Sequence, residues 1–330
     1  MVEDENVCDV AIVGAGPGGL AAALALQRAG LDVRVFEQRE EFRPAGVAIF
    51  IWPHGLNALK SFDPVSCERV IEAGAVIDNI AIEQLQPGNT EAEELVKIDV
   101  AGWSRRMDLP PQIGITWARL TNALRAGLKP DTVRLAHRLE DLIDEDGEDG
   151  VTLTFEPPRG GGEAPPPVRA RICVVGADGR NSRVRELAFG ADEKATVNTY
   201  ADPAAPEANV YYALSPNPPP GANGAGSFNE LRFSLCDGSG ISLLDVGRGN
   251  LDIDGKEGGS GGNPASGGQL MFGTTRFSEP AMTFETPTAR LGHLESLFEN
   301  TTPLLKAAIA STEPNAVIQT RLYERDGASR

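Results

Sequence analysis

The sequence predicts a mixed α/β fold that contains parallel β-strands joined by a helix. Residues 7–13 form a short, β-branched run that ends at a glycine, which is typical of a strand buried on both faces. Residues 20–29 are rich in Ala and Leu and are followed by Gly30, a common helix stop. Residues 31–37 then have the pattern of a second strand. Strand, glycine turn, helix and strand within about 30 residues predict a βαβ unit whose two strands are parallel.

Later segments continue this alternation of strands and helices. Residues 118–126 have a helical pattern, and residues 169–175 form another apolar strand, expected to be buried, that leads into Gly-Ala-Asp-Gly. Shorter strands are expected at residues 132–135 and 151–155. Loops are predicted where Pro and Gly are concentrated, at residues 157–167, 216–226 and 247–268.

The composition is that of a folded protein, with 330 residues of which 41% are hydrophobic and 23% are charged. The formal net charge of −17 disfavours nucleic acid and anionic membrane surfaces as partners. The longest uncharged run, residues 10–26, is interrupted by glycines, which argues against stable membrane insertion. The four cysteines show no C-x-x-C spacing and no targeting signal is recognisable, so we expect a reducing, cytoplasmic location without zinc or disulfides.

A glycine-rich motif, Gly14-Ala15-Gly16-Pro17-Gly18-Gly19, joins the first strand to the first helix. In this G-x-G-x-x-G pattern the first glycine permits a tight turn, the second lets the backbone approach a pyrophosphate, and the third lets the helix pack on the sheet. The helix N-terminus also offers N–H groups to phosphates. Glu37, at the end of the second strand, can accept ribose hydroxyls and disfavours a 2′-phosphate. The motif therefore indicates a Rossmann-like site for FAD or NAD rather than NADP.

A second motif, Gly176-Ala177-Asp178-Gly179-Arg180-Asn181-Ser182-Arg183-Val184-Arg185, follows the strand at residues 169–175. Together with the first motif it resembles the class A flavoprotein monooxygenases, the FAD-dependent aromatic hydroxylases related to para-hydroxybenzoate hydroxylase. That family carries G-A-D-G-x-x-S-x-V-R as its second motif. Gly46-Val47-Ala48-Ile49 stands where the family has a glycine-rich loop beside the flavin, and residues 52–59 resemble its next helix start. The resemblance covers residues 8–185 and specifies no substrate.

The resemblance implies a fold and a reaction. The fold is a discontinuous FAD-binding domain at residues 1–75 and 105–190, with a β-sheet-rich substrate domain at residues 76–104 and 191–330. In the reaction, NAD(P)H reduces FAD, and O2 is used to hydroxylate or epoxidise a small aromatic or hydrophobic substrate through a flavin C4a-hydroperoxide. Because the cofactor carries this chemistry, the sequence indicates no catalytic side chain and no metal site. The oligomeric state stays open.

The resemblance also implies which residues contact the cofactor. Asp178 and Gly179 are expected near the FAD pyrophosphate and the path of the nicotinamide cofactor. Arg180, Arg183 and Arg185 form a basic cluster that either contacts phosphate or is the solvated start of a helix. The cofactor-binding residues expected in full are Gly14, Gly16, Pro17, Gly18, Gly19, Glu37, Gln38, Arg39, Val47, Ala48, Trp117, Asp178 and Gly179.

Two features depart from the family pattern. Trp117 occupies the Arg position of the family's R-x-x-L-x-x-x-L helix, and it either stacks on the cofactor or belongs to the core. Arg119 is expected to face elsewhere, because two residues rotate a helix by about 200°. The family's third motif, Gly-Asp-Ala, does not occur, and residues 318–326 resemble the segment before it. We therefore expect a C-terminally incomplete chain, in which each missing polar contact weakens flavin binding by about 1 to 3 kcal/mol.

Other interpretations stay open on the sequence alone. A flavin-dependent reductase of the same fold would use both motifs, whereas a halogenase is expected to show W-x-W-x-I-P, and the tryptophans here are isolated. A simple NAD dehydrogenase would leave residues 176–185 without a role. A truncated, non-catalytic remnant is the alternative from a different class, because of the absent third motif and the glycine-rich insertions.

Overall fold

The computed structural model describes residues 6–42, 48–86, 91–144, 150–190, 209–215, 229–236, 239–246, 270–276, 282–299 and 301–321. The chain divides into two compact units. The first unit comprises Met1–Arg43, Leu59–Arg69 and Leu120–Val197, and the second comprises Pro44–Ala58, Val70–Arg119 and Asn198–Arg330. The sequence-based limits divide the chain by function, into an FAD-binding domain and a substrate domain. They therefore stay a prediction. The loops expected at residues 216–226 and 247–268 lie outside the described residues.

Strands and helices alternate as the sequence predicts, which confirms the mixed α/β class. The strands are β1 (Val7–Val13), β2 (Val33–Phe36), β3 (Ala48–Ile51), β4 (Ala75–Val76), β5 (Asn79–Leu85), β6 (Ala92–Asp99), β7 (Ile113–Thr116), β8 (Val133–Arg134), β9 (Arg138–Asp144), β10 (Val151–Glu156), β11 (Val168–Gly176), β12 (Asn209–Ser215), β13 (Glu230–Cys236), β14 (Ser239–Asp245), β15 (Leu270–Arg276) and β16 (Ile318–Arg321). The α-helices are α1 (Pro17–Arg28), α2 (Pro53–Phe62), α3 (Pro64–Ala73), α4 (Val100–Arg106), α5 (Trp117–Arg125), α6 (Arg183–Phe189), α7 (Pro287–Leu297) and α8 (Pro303–Ala310).

A six-stranded sheet forms the centre of the first unit, in the order β8-β2-β1-β11-β10-β9. β1 pairs in parallel with both β2 and β11, so the predicted βαβ unit is confirmed. Helix α1 begins at Pro17 rather than at residue 20, because the fixed φ of proline and its missing N–H suit the first helical position. The core of this unit consists of Cys8, Ala11, Val13, Phe36, Leu139, Leu153, Phe155, Val168 and Ala170.

Strand β11 is less buried than its apolar sequence predicts. In the described part of the chain, β1 pairs with it along residues 169–176, whereas β10 pairs with it only at residues 168–170. Ile172 is consequently 60% exposed. The neighbouring Arg171 is also exposed, and its guanidinium lies 2.7 Å from a carboxylate oxygen of Asp9. The prediction of a strand buried throughout is therefore wrong for the middle of β11, since only one strand neighbour accompanies it there.

Two sheets form the second unit. The larger has seven strands in the order β16-β12-β15-β14-β13-β5-β6, and the smaller has the order β3-β7-β4. Helices α7 and α8 pack on one face of the larger sheet, where their side chains share a core with residues of β5, β12 and β14. That core contains Leu85, Tyr211, Ala213, Ile241, Leu243, Leu291, Leu294, Phe298, Leu305, Ala308, Ile309 and Val317. A second core lies at one end of the opposite face and contains Ala48, Ile77, Ile80, Val100, Leu231, Leu244 and Val246.

The described cysteines occupy structural or surface positions. Cys8 and Cys67 are buried and Cys173 is exposed, and no disulfide joins them. Burial raises the pKa of the Cys8 thiol to about 11, so this thiol stays protonated at neutral pH. No described helix has the length and hydropathy that crossing a bilayer requires. The described residues also contain no group of three or more His, Cys, Asp and Glu side chains able to hold a metal ion.

Candidate functional site

The glycine-rich turn after β1 is held between its two neighbouring strands. The Gly14 N–H donates to the carbonyl oxygen of Phe36 at 2.8 Å, and the Ala177 N–H donates to that of Val13, also at 2.8 Å. Gly14 has a φ of +107°, a conformation that L side chains rarely adopt. A Cβ atom on Gly14 would lie 2.6 Å from the carbonyl carbon of Ala177 and 2.8 Å from the nitrogen of Asp178. The turn therefore requires glycine, and it brings the two sequence motifs into contact.

Helix α1 starts directly from this turn. Gly16 is its N-cap residue and makes no side-chain capping hydrogen bond, and Pro17 follows at the first helical position. A Cβ atom on Gly19 would overlap the carbonyl oxygen of Gly14, whereas one on Gly18 would meet no atom within 4 Å. The close approach at Gly19 lets the helix sit against the turn, and the Cβ position of Gly18 is open. An uncapped helix N-terminus of this kind suits an anionic group such as a phosphate.

Glu37 lies beside the turn, at the end of β2. One carboxylate oxygen, Oε2, accepts a hydrogen bond from the Ala15 N–H at 3.0 Å, and the other, Oε1, accepts from the Arg39 N–H at 3.1 Å. The Glu37 carbonyl oxygen accepts from the His137 N–H at 2.9 Å. These bonds fix the carboxylate against the glycine turn. Each oxygen keeps acceptor capacity, so Glu37 can still bind hydroxyl groups.

The first unit has a cavity of about 640 Å³ whose wall includes Gln38 and Arg39, the two residues that follow Glu37. Its volume is in the range of small-molecule sites. Two charged groups in its wall pair with each other, since Arg138 Nε lies 3.5 Å from Glu156 Oε2. The lining residues are Gln38, Arg39, Glu40, Glu41, Ala136, Arg138, Glu156, Pro157, Pro158 and Arg159. The sequence analysis named Gln38 and Arg39 as cofactor-binding residues, which stays a prediction. It did not name Glu40 and Glu41 beside them, or the lining residues of segments 136–138 and 156–159, because none of these carries a motif.

Asp178 has a clear structural role. Its Oδ1 accepts from the Ser182 hydroxyl at 2.6 Å, and its Oδ2 accepts from the backbone N–H groups of Arg183 at 2.6 Å and Val184 at 3.2 Å. The carboxylate thus binds three donors at the start of α6. Gly179 follows with a φ of +81°. The structure places the Asp178 backbone beside the glycine turn. The contact of Asp178 and Gly179 with FAD stays a prediction.

We expect Asp178→Ala to lower the free energy of unfolding by about 2 to 4 kcal/mol, because three donors at the start of α6 lose a charged acceptor. Chemical denaturation of the purified chain measures this effect. Asp141→Ala is the matched control, since Asp141 is an exposed acid whose Oδ1 accepts only from the adjacent Leu142 N–H among the bonds described. Equal stability of the two variants would contradict the assigned role of Asp178.

The arginines of the second motif are engaged locally. Arg183 donates twice to the carbonyl oxygen of Glu140, at 2.8 and 3.1 Å, and its guanidinium pairs with Glu186 at 3.2 Å. Arg185 donates to the carbonyl oxygen of Arg180 at 2.7 Å. These contacts favour the interpretation of the arginines as the solvated start of a helix over that of a preformed phosphate-binding group.

The other predicted residues belong to the second unit or lie outside the described residues. Val47 is among the latter. Ala48 is only 5% exposed, and its side chain packs in the core beside β3 rather than at a surface. Trp117 is 38% exposed at the start of α5, so the interpretation of it as a core residue is wrong, and stacking on a cofactor stays a prediction. Arg119 is buried and donates to the carbonyl oxygen of Val246 at 2.8 Å.

Comparison with known sequences identifies a flavoprotein family. Residues 7–211 match the family described as FAD binding domain. The 6-hydroxynicotinate 3-monooxygenase of Bordetella bronchiseptica is 32% identical over 188 residues, covering 56% of this chain and 44% of the relative. The FAD-dependent urate hydroxylase of Klebsiella pneumoniae is 27% identical over 180 residues, covering 54% of this chain and 42% of the relative. The matched stretch thus spans less than half the length of these curated relatives.

Solved structures show the same fold. Klebsiella pneumoniae HpxO, in complex with FAD and uric acid, superposes with a TM-score of 0.72 at 21% identity, covering 97% of this chain and 69% of that one. The p-nitrophenol 4-monooxygenase PnpA of Pseudomonas putida superposes with a TM-score of 0.65 at 19% identity, covering 98% and 69%. The family match covers well over half of the 330 residues. With its glycine turn, uncapped helix and anchored acid, the chain belongs to the FAD binding domain family.

Proposed function

We propose that this chain is the FAD-binding part, and much of the substrate-binding part, of an FAD-dependent monooxygenase. The enzyme would use NAD(P)H and O2 to hydroxylate or epoxidise a small aromatic or hydrophobic molecule. The observation that carries the proposal is the arrangement of the glycine turn, the α1 N-terminus and the Glu37 carboxylate, which accepts the Ala15 N–H of that turn. The relatives named as monooxygenase and hydroxylase support the reaction class.

The residues present fit FAD. The space in front of Gly18 and the free end of α1 suit the pyrophosphate, and Glu37 suits the hydroxyls of the ribose. The adjoining cavity, with Gln38 and Arg39 in its wall, has room for the adenine. When bound, FAD would supply the redox chemistry with NAD(P)H and O2. The side chains described here bind and orient the cofactor, and we propose no acid or base among them.

Oxidation of NADH and NADPH by the FAD-supplemented chain, with and without a panel of small aromatic compounds, tests this proposal. We expect the compounds that bind to stimulate oxidation and to gain an oxygen atom from isotopically labelled O2, as detected by mass spectrometry. Stimulated oxidation without oxygen transfer would favour the flavin-dependent reductase. A folded chain that binds flavin but oxidises neither nicotinamide would favour the non-catalytic remnant.

We also propose a reducing, cytoplasmic location and no nucleic-acid partner. The absence of a disulfide among Cys8, Cys67 and Cys173 supports the first, and the net charge of −17 supports the second.

A further inference from the structure

Strand β11 has one edge that the other described strands leave largely uncovered. Along its opposite edge it pairs with β1 from residue 169 to residue 176, whereas β10 pairs with it only at residues 168–170. Within the described part of the chain, the stretch from Ile172 to Gly176 therefore has a strand neighbour on one side only. We call the uncovered side of residues 172–176 the open edge.

Backbone groups at the open edge point away from β1. The N–H groups of Arg169 and Ala177 both donate to carbonyl oxygens on the β1 side, those of Asn6 and Val13. Since successive residues of a strand direct their N–H and C=O groups to opposite sides, the odd-numbered residues between them face β1. Residues 172, 174 and 176 therefore present their N–H and C=O groups at the open edge, where a further strand can pair with them.

The open edge is also uncharged and apolar. Its residues are Ile172, Cys173, Val174, Val175 and Gly176. Ile172 is 60% exposed, and Cys173 and Gly176 are exposed as well. Strand β1, which has strand neighbours on both sides, is buried throughout residues 10–13. An apolar strand edge left uncovered in this way is a template for pairing with another chain.

The outer strands of the two larger sheets carry charges that oppose such pairing. β8 ends in Arg134 and β16 ends in Arg321. β9 contains Arg138, Glu140, Asp141 and Asp144, and β6 contains Glu93, Glu94, Lys97 and Asp99. Charged residues on edge strands are a usual protection against edge-to-edge association. Residues 172–176 carry none, which distinguishes the open edge from these four strands.

We infer that the open edge pairs with the open edge of a second copy of this chain. The segment is self-complementary in an antiparallel pair centred on Val174, because the outward-facing backbone groups of the two molecules then meet. In that register Val174 lies opposite its own copy, and Ile172 of each molecule lies opposite Gly176 of the other. The interface is therefore the same on both molecules, as a closed two-fold dimer requires.

Side chains fit this register on both faces of the joined sheet. A Cβ atom on Gly176 would lie 2.9 Å from Cγ1 of Val184, so the Val184 side chain lies over that glycine. Ile172 of the second copy, opposite Gly176, can pack against Val184 and remove its exposed side chain from water. On the other face, Cys173 lies opposite Val175 of the second copy. The net charge of −17 on each chain opposes association, so added salt should strengthen the dimer.

Sedimentation velocity of the chain, over a range of concentrations and at moderately high salt, tests the inference. We expect a reversible dimer whose fraction grows with concentration. Ile172→Lys places a charge in the open edge and should raise the dissociation constant of the dimer at least about tenfold. Because Ile172 is exposed, this variant should unfold as cooperatively as the unmodified chain. Val65→Lys, at a 59% exposed position of α3, changes the net charge equally and should leave the dimer intact.

A covalent trap tests the register. In the antiparallel pair, Val174→Cys places two thiols opposite one another at a Cα separation of about 5.5 Å, which a disulfide spans. In a Cys173→Ser background, we expect this variant to form a disulfide-linked dimer on mild oxidation. Val65→Cys in the same background should stay monomeric on a non-reducing gel. Cross-linking of both variants, or of neither, would contradict the register.

A chain that stays monomeric would overturn the inference, and so would a dimer that Ile172→Lys leaves intact. Amide hydrogen exchange at residues 172, 174 and 176 identifies what covers the open edge. We expect slow exchange in the dimer and fast exchange in Ile172→Lys. Slow exchange in a monomeric chain would show that another segment of the same molecule occupies the open edge, which would also overturn the inference.

Discussion

Alanine in place of Gly14 is expected to abolish FAD binding and to lower the free energy of unfolding by about 2 kcal/mol or more. The added Cβ would lie 2.6 Å from the Ala177 carbonyl carbon. The alanine would also have to adopt a φ of +107°, which L residues rarely do. Relief of this overlap must move the turn away from residues 177–178, which displaces the start of α1. Flavin absorbance of the purified variant and its denaturation curve measure the two effects.

Gly18→Ala separates this clash from a general intolerance of side chains in the turn. A Cβ on Gly18 meets no atom within 4 Å, so the fold should keep its stability. Its flavin affinity should fall less than that of Gly14→Ala, because the added methyl group points into open space. If Gly14→Ala bound flavin as well as Gly18→Ala does, the tight approach between the two motifs would have no part in the site.

Glu37→Gln is expected to weaken FAD binding by about 10- to 100-fold. This change corresponds to about 1.5 to 3 kcal/mol, the usual contribution of a hydrogen bond to a charged group. The carboxylate accepts N–H groups on both oxygens, from Ala15 and from Arg39. An amide has a single acceptor oxygen, so its NH2 group would face one of these donors. The variant thus loses the anchor to the turn and the charge that would accept the ribose hydroxyls.

Fluorescence titration with FAD measures this change. Glu68→Gln removes the same charge from an exposed position of helix α3 and serves as the control, with no expected change in affinity. A Glu37→Gln chain that binds FAD as the unmodified chain does would show that Glu37 only anchors the turn to β2.

Features that depend on local sequence could be predicted. Strand β1, the parallel βαβ unit and the glycine turn with its positive φ at Gly14 follow from residues close together in the chain. The close approach of Gly14 to Ala177 joins distant segments and does not. The position of Glu37 at the end of β2 follows from the same unit. Loop 157–167 also contains no helix or strand, as its Pro and Gly content predicts.

Features that depend on tertiary contacts could not be predicted. The sequence contains Asp178 in a motif, but its bonds to Ser182, Arg183 and Val184 appear only once the chain turns into α6. The exposure of Ile172 depends on how far β10 extends along β11. The burial of Arg119 depends on a carbonyl group at Val246, far along the chain. Composition and periodicity carry no information on such pairings.

Titration of the apo chain with FAD tests the central claim most directly, which is that the glycine turn, the α1 N-terminus and Glu37 form a flavin site in this chain. We predict saturable binding of near-stoichiometric flavin, seen as a shifted visible spectrum, which Gly14→Ala removes and Gly18→Ala retains. A folded chain, shown by its far-ultraviolet circular dichroism and cooperative unfolding, that binds no flavin at saturating FAD would contradict the account.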